Sequence, residues 1–184
     1  QPDKKTGRGQ KPSNSLFNSG AQEVEILQPD NLNDGTFKES LLAKEIDLLV
    51  VVAYGKLIPD WMLSYPKYGC LNVHFSLLPK YRGAAPMQRA ICNGDSITGI
   101  SFMSLVNELD AGPVYESCVH EIGSSDIFQL EDALLALSLE KINTVSEKIV
   151  FGGLKAKEQN HTEASMAEKI QKDEGLVDWS LSSK

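Results

Sequence analysis

The run Leu48-Leu49-Val50-Val51-Val52-Ala53-Tyr54 limits the fold of this chain more than any other feature. It is far shorter than the roughly 18 apolar residues that a membrane-spanning helix needs, and it lacks the alternation of a strand with one face in water. A segment apolar on both faces belongs inside a parallel sheet, with helices packed on each side. Asp47 to Ala53 is therefore expected to be a central strand. The neighbouring sequence supplies matching elements. From Thr36 to Ile46, Phe37, Leu41, Leu42 and Ile46 fall at helical spacing, with Asp34 or Thr36 as N-cap. Gln22 to Leu27 alternates polar and apolar residues and reads as a strand closed by Pro29.

Further along, Cys70 to His74 reads as a short strand after Gly69, and Pro86 to Cys92 as a helix. Ile97 to Leu105 and Val114 to Ile122 form two more strands, separated by a turn at Asp110-Ala111-Gly112-Pro113. Ile127, Leu130, Leu134, Leu137, Ile142, Val145 and Ile149 line one face of a long helix, with Ser124 or Ser125 as cap and Gly152-Gly153 as stop. Such alternation of strands and helices predicts an open α/β sheet with a right-handed crossover. A short amphipathic segment, Ala164 to Asp173, closes the pattern.

At 184 residues, 41% hydrophobic and 23% charged, the chain has the balance of a single globular domain. Eighteen Lys and Arg against 25 Asp and Glu give a net charge of -7, which excludes a basic nucleic-acid clamp for the chain as a whole but not a local basic patch. Cys70, Cys92 and Cys118 are odd in number and far apart, with no His at zinc-ligand spacing. They are expected to be reduced thiols of a cytosolic-type compartment. The chain opens at Gln1 without Met or a signal sequence, so a fragment is expected.

The densest polar group is Asn72-Val73-His74, followed by Ser76-Leu77-Leu78-Pro79-Lys80-Tyr81-Arg82-Gly83. Residues two apart in a strand share a face, so Asn72 and His74 project side by side at a strand's C-terminal end, where open α/β sheets bind ligands. An amide donor beside an imidazole suits a reaction in which an oxyanion develops while a proton moves, as in acyl transfer to an amine. Equally, the pair could only satisfy backbone groups at a strand end. Asp110 is either an Asx-turn residue or a carboxylate that orients His74. Lys4, Lys5, Arg8 and Lys11, among Gly7, Gly9 and Pro12, form either a solvated loop or a phosphate-contacting one. His120 and His161 stand alone, and Trp61 and Trp179 read as packing anchors.

The string Asn72-Val73-His74-Phe75-Ser76-Leu77-Leu78-Pro79, with Arg82-Gly83 and Leu109-Asp110-Ala111-Gly112, resembles the folate-dependent formyltransferases. Gln1-Pro2-Asp3 through Gly9, Ala53-Tyr54-Gly55, Arg82 to Gln88 and Asp178-Trp179-Ser180 resemble the branch of that superfamily whose acceptor is methionyl initiator tRNA. The resemblance implies an open Rossmann-like, mostly parallel sheet flanked by helices. It also implies truncation at both ends, with a first strand and helix and a C-terminal barrel domain missing. Residues 1–175 would be the catalytic domain and 176–184 the start of a linker. The same resemblance implies transfer of a formyl group from 10-formyltetrahydrofolate, as co-substrate, to the amine of methionyl initiator tRNA in translation initiation.

The resemblance makes Asn72, His74 and Asp110 the catalytic residues. It places folate against Ser76, Leu77, Leu78 and Pro79, with the Tyr54 to Ile58 loop walling the pterin pocket. It gives tRNA contact to Arg8, Lys4, Lys5 and Lys11, and implies no metal. A cytoplasmic or organellar-matrix monomer with no membrane partner is expected. Phe75 departs from the family's small residue or Pro. A nucleotide amino sugar as acceptor, and a folate-binding module without turnover, are the competing expectations. A sheet lacking its first strand should leave an edge unpaired and the isolated chain unstable.

Overall fold

The computed structural model describes residues 25, 27–55 and 57–176. The predicted strand at Gln22 to Leu27, the basic loop and the Asp178-Trp179-Ser180 segment fall almost wholly outside them. Helix α1 (Gly35–Leu42) is capped by Asp34, whose carboxylate accepts from Phe37 N at 3.0 Å. It ends at Leu42, short of Ile46, where the Leu42 carbonyl accepts from the Tyr65 hydroxyl at 3.0 Å. Strand β1 (Leu49–Val52) follows, then helix α2 (Asp60–Ser64), whose Trp61 packs edge-on against Phe37 and donates to Asn33. Strand β2 is Cys70–His74, helix α3 is Pro86–Cys92, and strands β3 (Ile97–Ser104) and β4 (Val114–Glu121) lead into helix α4 (Ile127–Val150).

The cap of α4 is Asp126, one residue beyond the serines expected. Its carboxylate accepts from Gln129 N while Gln129 Oε1 accepts from Asp126 N, and this reciprocal box satisfies two helix-end donors where a lone serine satisfies one.

The four described strands lie in the order β1-β2-β3-β4. β1 and β2 are parallel, whereas β2–β3 and β3–β4 are antiparallel, so the described sheet is mixed rather than mostly parallel. The physical reason for the second antiparallel pair is the link of nine residues, 105–113, too short for a parallel crossover. β1 is the edge of the described sheet, not its centre. Val50 and Val52 on one of its faces are 39% and 43% exposed, because α3 and α4 cover β2 and β3 but stop short of β1. An open groove of about 440 Å³ lined by Ile46, Leu48, Val50, Val150 and Phe151 lies there.

One face of the sheet carries the core. Leu71, Val73, Ile100 and Phe102 pack against Met87 and Ala90 of α3 and Leu130, Leu134, Val145 and Ile149 of α4. The α4 face residues read from the sequence all join this cluster or pack against it, whereas those of α1 do not, and each fully buried leucine contributes about 1.5–3 kcal/mol. Among the described residues no helix is long and apolar enough to cross a membrane. With the core on one face, residues 72 and 74 of β2 are directed to the other.

Candidate active site

Asn72 and His74 stand on the face of β2 opposite Leu71 and Val73, in register with Met103 and Ser101 of β3. His74 is 7% exposed. Its Nε2 lies 2.8 Å from the Tyr81 carbonyl, which can only accept, so Nε2 carries the hydrogen and Nδ1 is turned to the other side. There Nδ1 lies 3.6 Å from Asp110 Oδ2, too far for a hydrogen bond and an ion pair only when the imidazole is protonated. The Asn72 amide is half-buried and makes no hydrogen bond among the described residues, which leaves its N–H donors available.

Asp110 does not close an Asx-turn on its own backbone. Its Oδ2 accepts from Gly83 N at 2.8 Å, so the two loops that flank His74 meet at this carboxylate. Two glycines permit the meeting. A Cβ on Gly83, at φ +117°, would sit 2.8 Å from the Ala167 carbonyl oxygen, and one on Gly112 would sit 1.9 Å from that of Ser104. Asp110 itself has φ +47°, and Tyr81 and Ala53 have +61° and +48°. These are the three non-glycine residues with positive φ among those described. Each follows or faces the C-terminal end of β1 or β2, so the backbone strain is gathered around His74.

The loop after β2 is pinned to the sheet. Ser101 Oγ donates to the Ser76 carbonyl at 2.7 Å and receives the Leu78 N–H at 3.1 Å. Ser76 is buried and its hydroxyl donates to the Lys80 carbonyl, so its role here is to shape the loop. Leu77, Leu78 and Pro79 are half-buried beside it. The Tyr81 hydroxyl bridges Asp95 and Asn93, and burial is the main cause that raises its pKa. Lys4, Lys5, Arg8 and Lys11 lie outside the described residues.

Three participants were not placed at the site by the sequence. Gln159, buried at 7% exposure, links the Asp110 turn to Arg82, and the Ser165–Ala167 segment pairs with the backbone of the Arg82 loop. His161, expected to stand alone, receives a hydrogen bond at Nδ1 from Arg82 Nη2 at 3.1 Å. The groove beside β1 contains none of these groups. No group of three or more His, Cys, Asp or Glu among the described residues could hold a metal ion.

Comparison with known proteins identifies the family. The chain is 40% identical over 188 residues to the methionyl-tRNA formyltransferase of Buchnera aphidicola subsp. Acyrthosiphon pisum (strain Tuc7), covering 99% of this chain and 59% of that protein. It is 40% identical over 183 residues to that of Thermotoga maritima, covering 98% of this chain and 58% of that one. It thus spans about three fifths of the length of the curated relatives it matches. HypX from Aquifex aeolicus, crystallised with tetrahydrofolic acid, shares the fold with a TM-score of 0.66 at 20% identity, over 74% of this chain and 24% of that one. Residues 1–132 match the family model for formyl transferase, and the chain belongs to that family.

Proposed function

We propose that the protein carrying this chain transfers a formyl group from 10-formyltetrahydrofolate to the α-amine of methionyl initiator tRNA, the step that prepares that tRNA for translation initiation. One observation carries the reading: a buried His74 held by the Tyr81 carbonyl, with Nδ1 facing the Asp110 carboxylate and the uncommitted Asn72 amide two residues away on the same face. Relatives named for this activity, at 40% identity over nearly the whole chain, favour the tRNA acceptor over a sugar.

In this reading Asn72 donates to the formyl oxygen as the amine nitrogen attacks the formyl carbon and negative charge develops on that oxygen. His74, with Nε2–H fixed, presents Nδ1 to the proton changes at that centre. Asp110 takes up the proton lost by the attacking amine and steadies the imidazole when it is charged. The bond from the formyl carbon to the folate nitrogen then breaks, that nitrogen takes up the proton that Asp110 received, and the oxygen returns to a carbonyl with Asp110 ionised again. Leu77, Leu78 and Pro79 form one wall for the folate, and the buried Ser76 shapes the loop that carries them. Lys4, Lys5, Arg8 and Lys11 supply phosphate contacts whose contribution falls with salt.

The test is formylation by the whole protein, with charged initiator tRNA and a nucleotide amino sugar offered together with 10-formyltetrahydrofolate. Asn72→Ala and Asp110→Ala should each lower kcat on the tRNA by about 10²–10⁴ with a much smaller change in folate KM. Formylated sugar in place of tRNA overturns the acceptor. Folate binding without either product overturns turnover itself.

A further inference from the structure

We infer that Gln159 is a positioning residue, whose carboxamide holds the Asp110–Gly112 turn at the setting in which Asp110 faces His74. The inference rests on the role proposed for Asp110. Gln159 Nε2 donates to the Asp110 carbonyl at 2.8 Å and to the Gly112 carbonyl at 2.7 Å. Gln159 Oε1 accepts from Arg82 Nε at 3.1 Å and Nη2 at 2.8 Å. A carboxamide has two donor hydrogens and two acceptor lone pairs, so its whole capacity is used. Its orientation is also fixed, because a flipped amide would set its oxygen against two carbonyls and its NH₂ against a guanidinium.

This grip acts where the backbone needs one. Asp110 sits at φ +47°, a conformation that costs a non-glycine residue about 1–3 kcal/mol and persists only where its surroundings over-determine it. The Gly83 N–H holds the Asp110 carboxylate, and Gln159 holds its carbonyl, so the residue is fixed at both ends. Arg82 is 5% exposed, and its remaining contacts are to Glu108 at 3.7 Å and His161 Nδ1 at 3.1 Å. It is thus a brace for Gln159 rather than a cation turned to a ligand. The chain reaches this place because Lys157 exchanges two backbone hydrogen bonds of 2.8 Å with Val114, just past the turn.

Gln159→Glu keeps the volume and the pairing with Arg82 but puts an acceptor against the two carbonyls. Gln159→Leu removes both links. Either is measured in the whole protein alone and combined with Asp110→Ala, in single-turnover formylation of charged initiator tRNA, with tetrahydrofolate binding followed in parallel. A displaced catalytic group can lose up to about 100-fold in rate, so Gln159→Glu should lower kcat about 10–100-fold with folate KM within about 3-fold. In the Asp110→Ala background the further loss should be under about 2-fold, because the group being positioned is gone. The same loss in both backgrounds overturns the inference, as does tetrahydrofolate binding that falls in step with turnover. Undiminished turnover in Asp110→Ala alone overturns the role of Asp110, a separate result read from the single variant.

Discussion

Gly83→Ala tests the packing that brings Asp110 to His74. The new Cβ would lie 2.8 Å from the Ala167 carbonyl oxygen and 3.3 Å from its carbon, both backbone atoms that cannot swing aside. The φ of +117° adds strain for any L side chain. Overpacking of this kind costs about 1–3 kcal/mol and a disfavoured backbone a similar amount, against about 0.4–1 kcal/mol returned by the stiffer unfolded chain. The net expectation is a destabilisation of about 1–6 kcal/mol. Gly94 provides the control: its φ is +69°, but nothing lies within 4 Å of the added Cβ, so Gly94→Ala should cost about 1 kcal/mol. Urea unfolding of both variants isolates the close approach. Turnover separates them further, since only Gly83 donates its N–H to Asp110, and kcat should fall in Gly83→Ala well beyond Gly94→Ala. Equal urea midpoints and equal kcat in the two variants would refute the argument.

Thiol reactivity and acid dependence give two further checks. Burial pushes the Cys70 thiol up to about 11, and burial also raises Cys118, whereas Cys92 is exposed. Iodoacetamide at pH 8 should label Cys92 first and Cys70 last in the folded protein; Cys70 reacting as fast as Cys92, by peptide mapping, would contradict the packing of β2 against α2. The hydrogen bond from Arg89 holds Glu174 below its ordinary carboxylate value, so this pair's contribution is present above that ordinary value and lost as pH falls through the lower folded-state one. Glu174→Gln should therefore be less stable than the parent at pH 7 and match it in the acid range, and a gap that persists in acid would assign the effect to something other than the charge.

Periodicity revealed the elements whose register is local. α3 and the core face of α4 follow from residue spacing, and so does the shared face of Asn72 and His74, because a strand repeats every two residues. The position of β1 was harder to read: Val50 to Val52 are apolar enough for a central strand, yet covering depends on what packs there, and among the described strands β1 is an edge. Asp110 had a sequence signal only through family resemblance, since a Leu-Asp-Ala-Gly-Pro turn serves equally well as an Asx-turn. Gln159 had none. It sits 49 residues from Asp110 and 77 from Arg82, and a lone glutamine in a polar stretch has no spacing to distinguish it.

That illegible stretch carries much of the organisation of the site. Lys157 pairs with Val114, Gln159 grips the Asp110 turn, and Ser165 to Ala167 bond the backbone from Pro79 to Ala85. The strap therefore touches both loops around His74 and contributes none of the groups proposed to react. Each loop alone contains a strained residue, Tyr81 in one and Asp110 in the other. Tyr81 sets the imidazole tautomer through its carbonyl, and Asp110 faces the nitrogen that this tautomer turns away. Holding both strained residues from a third segment makes the His74–Asp110 separation depend on the strap as well as on the contact between the two loops. Changes confined to 157–167 should consequently alter turnover before they alter the core, which α3, α4 and the sheet complete without them.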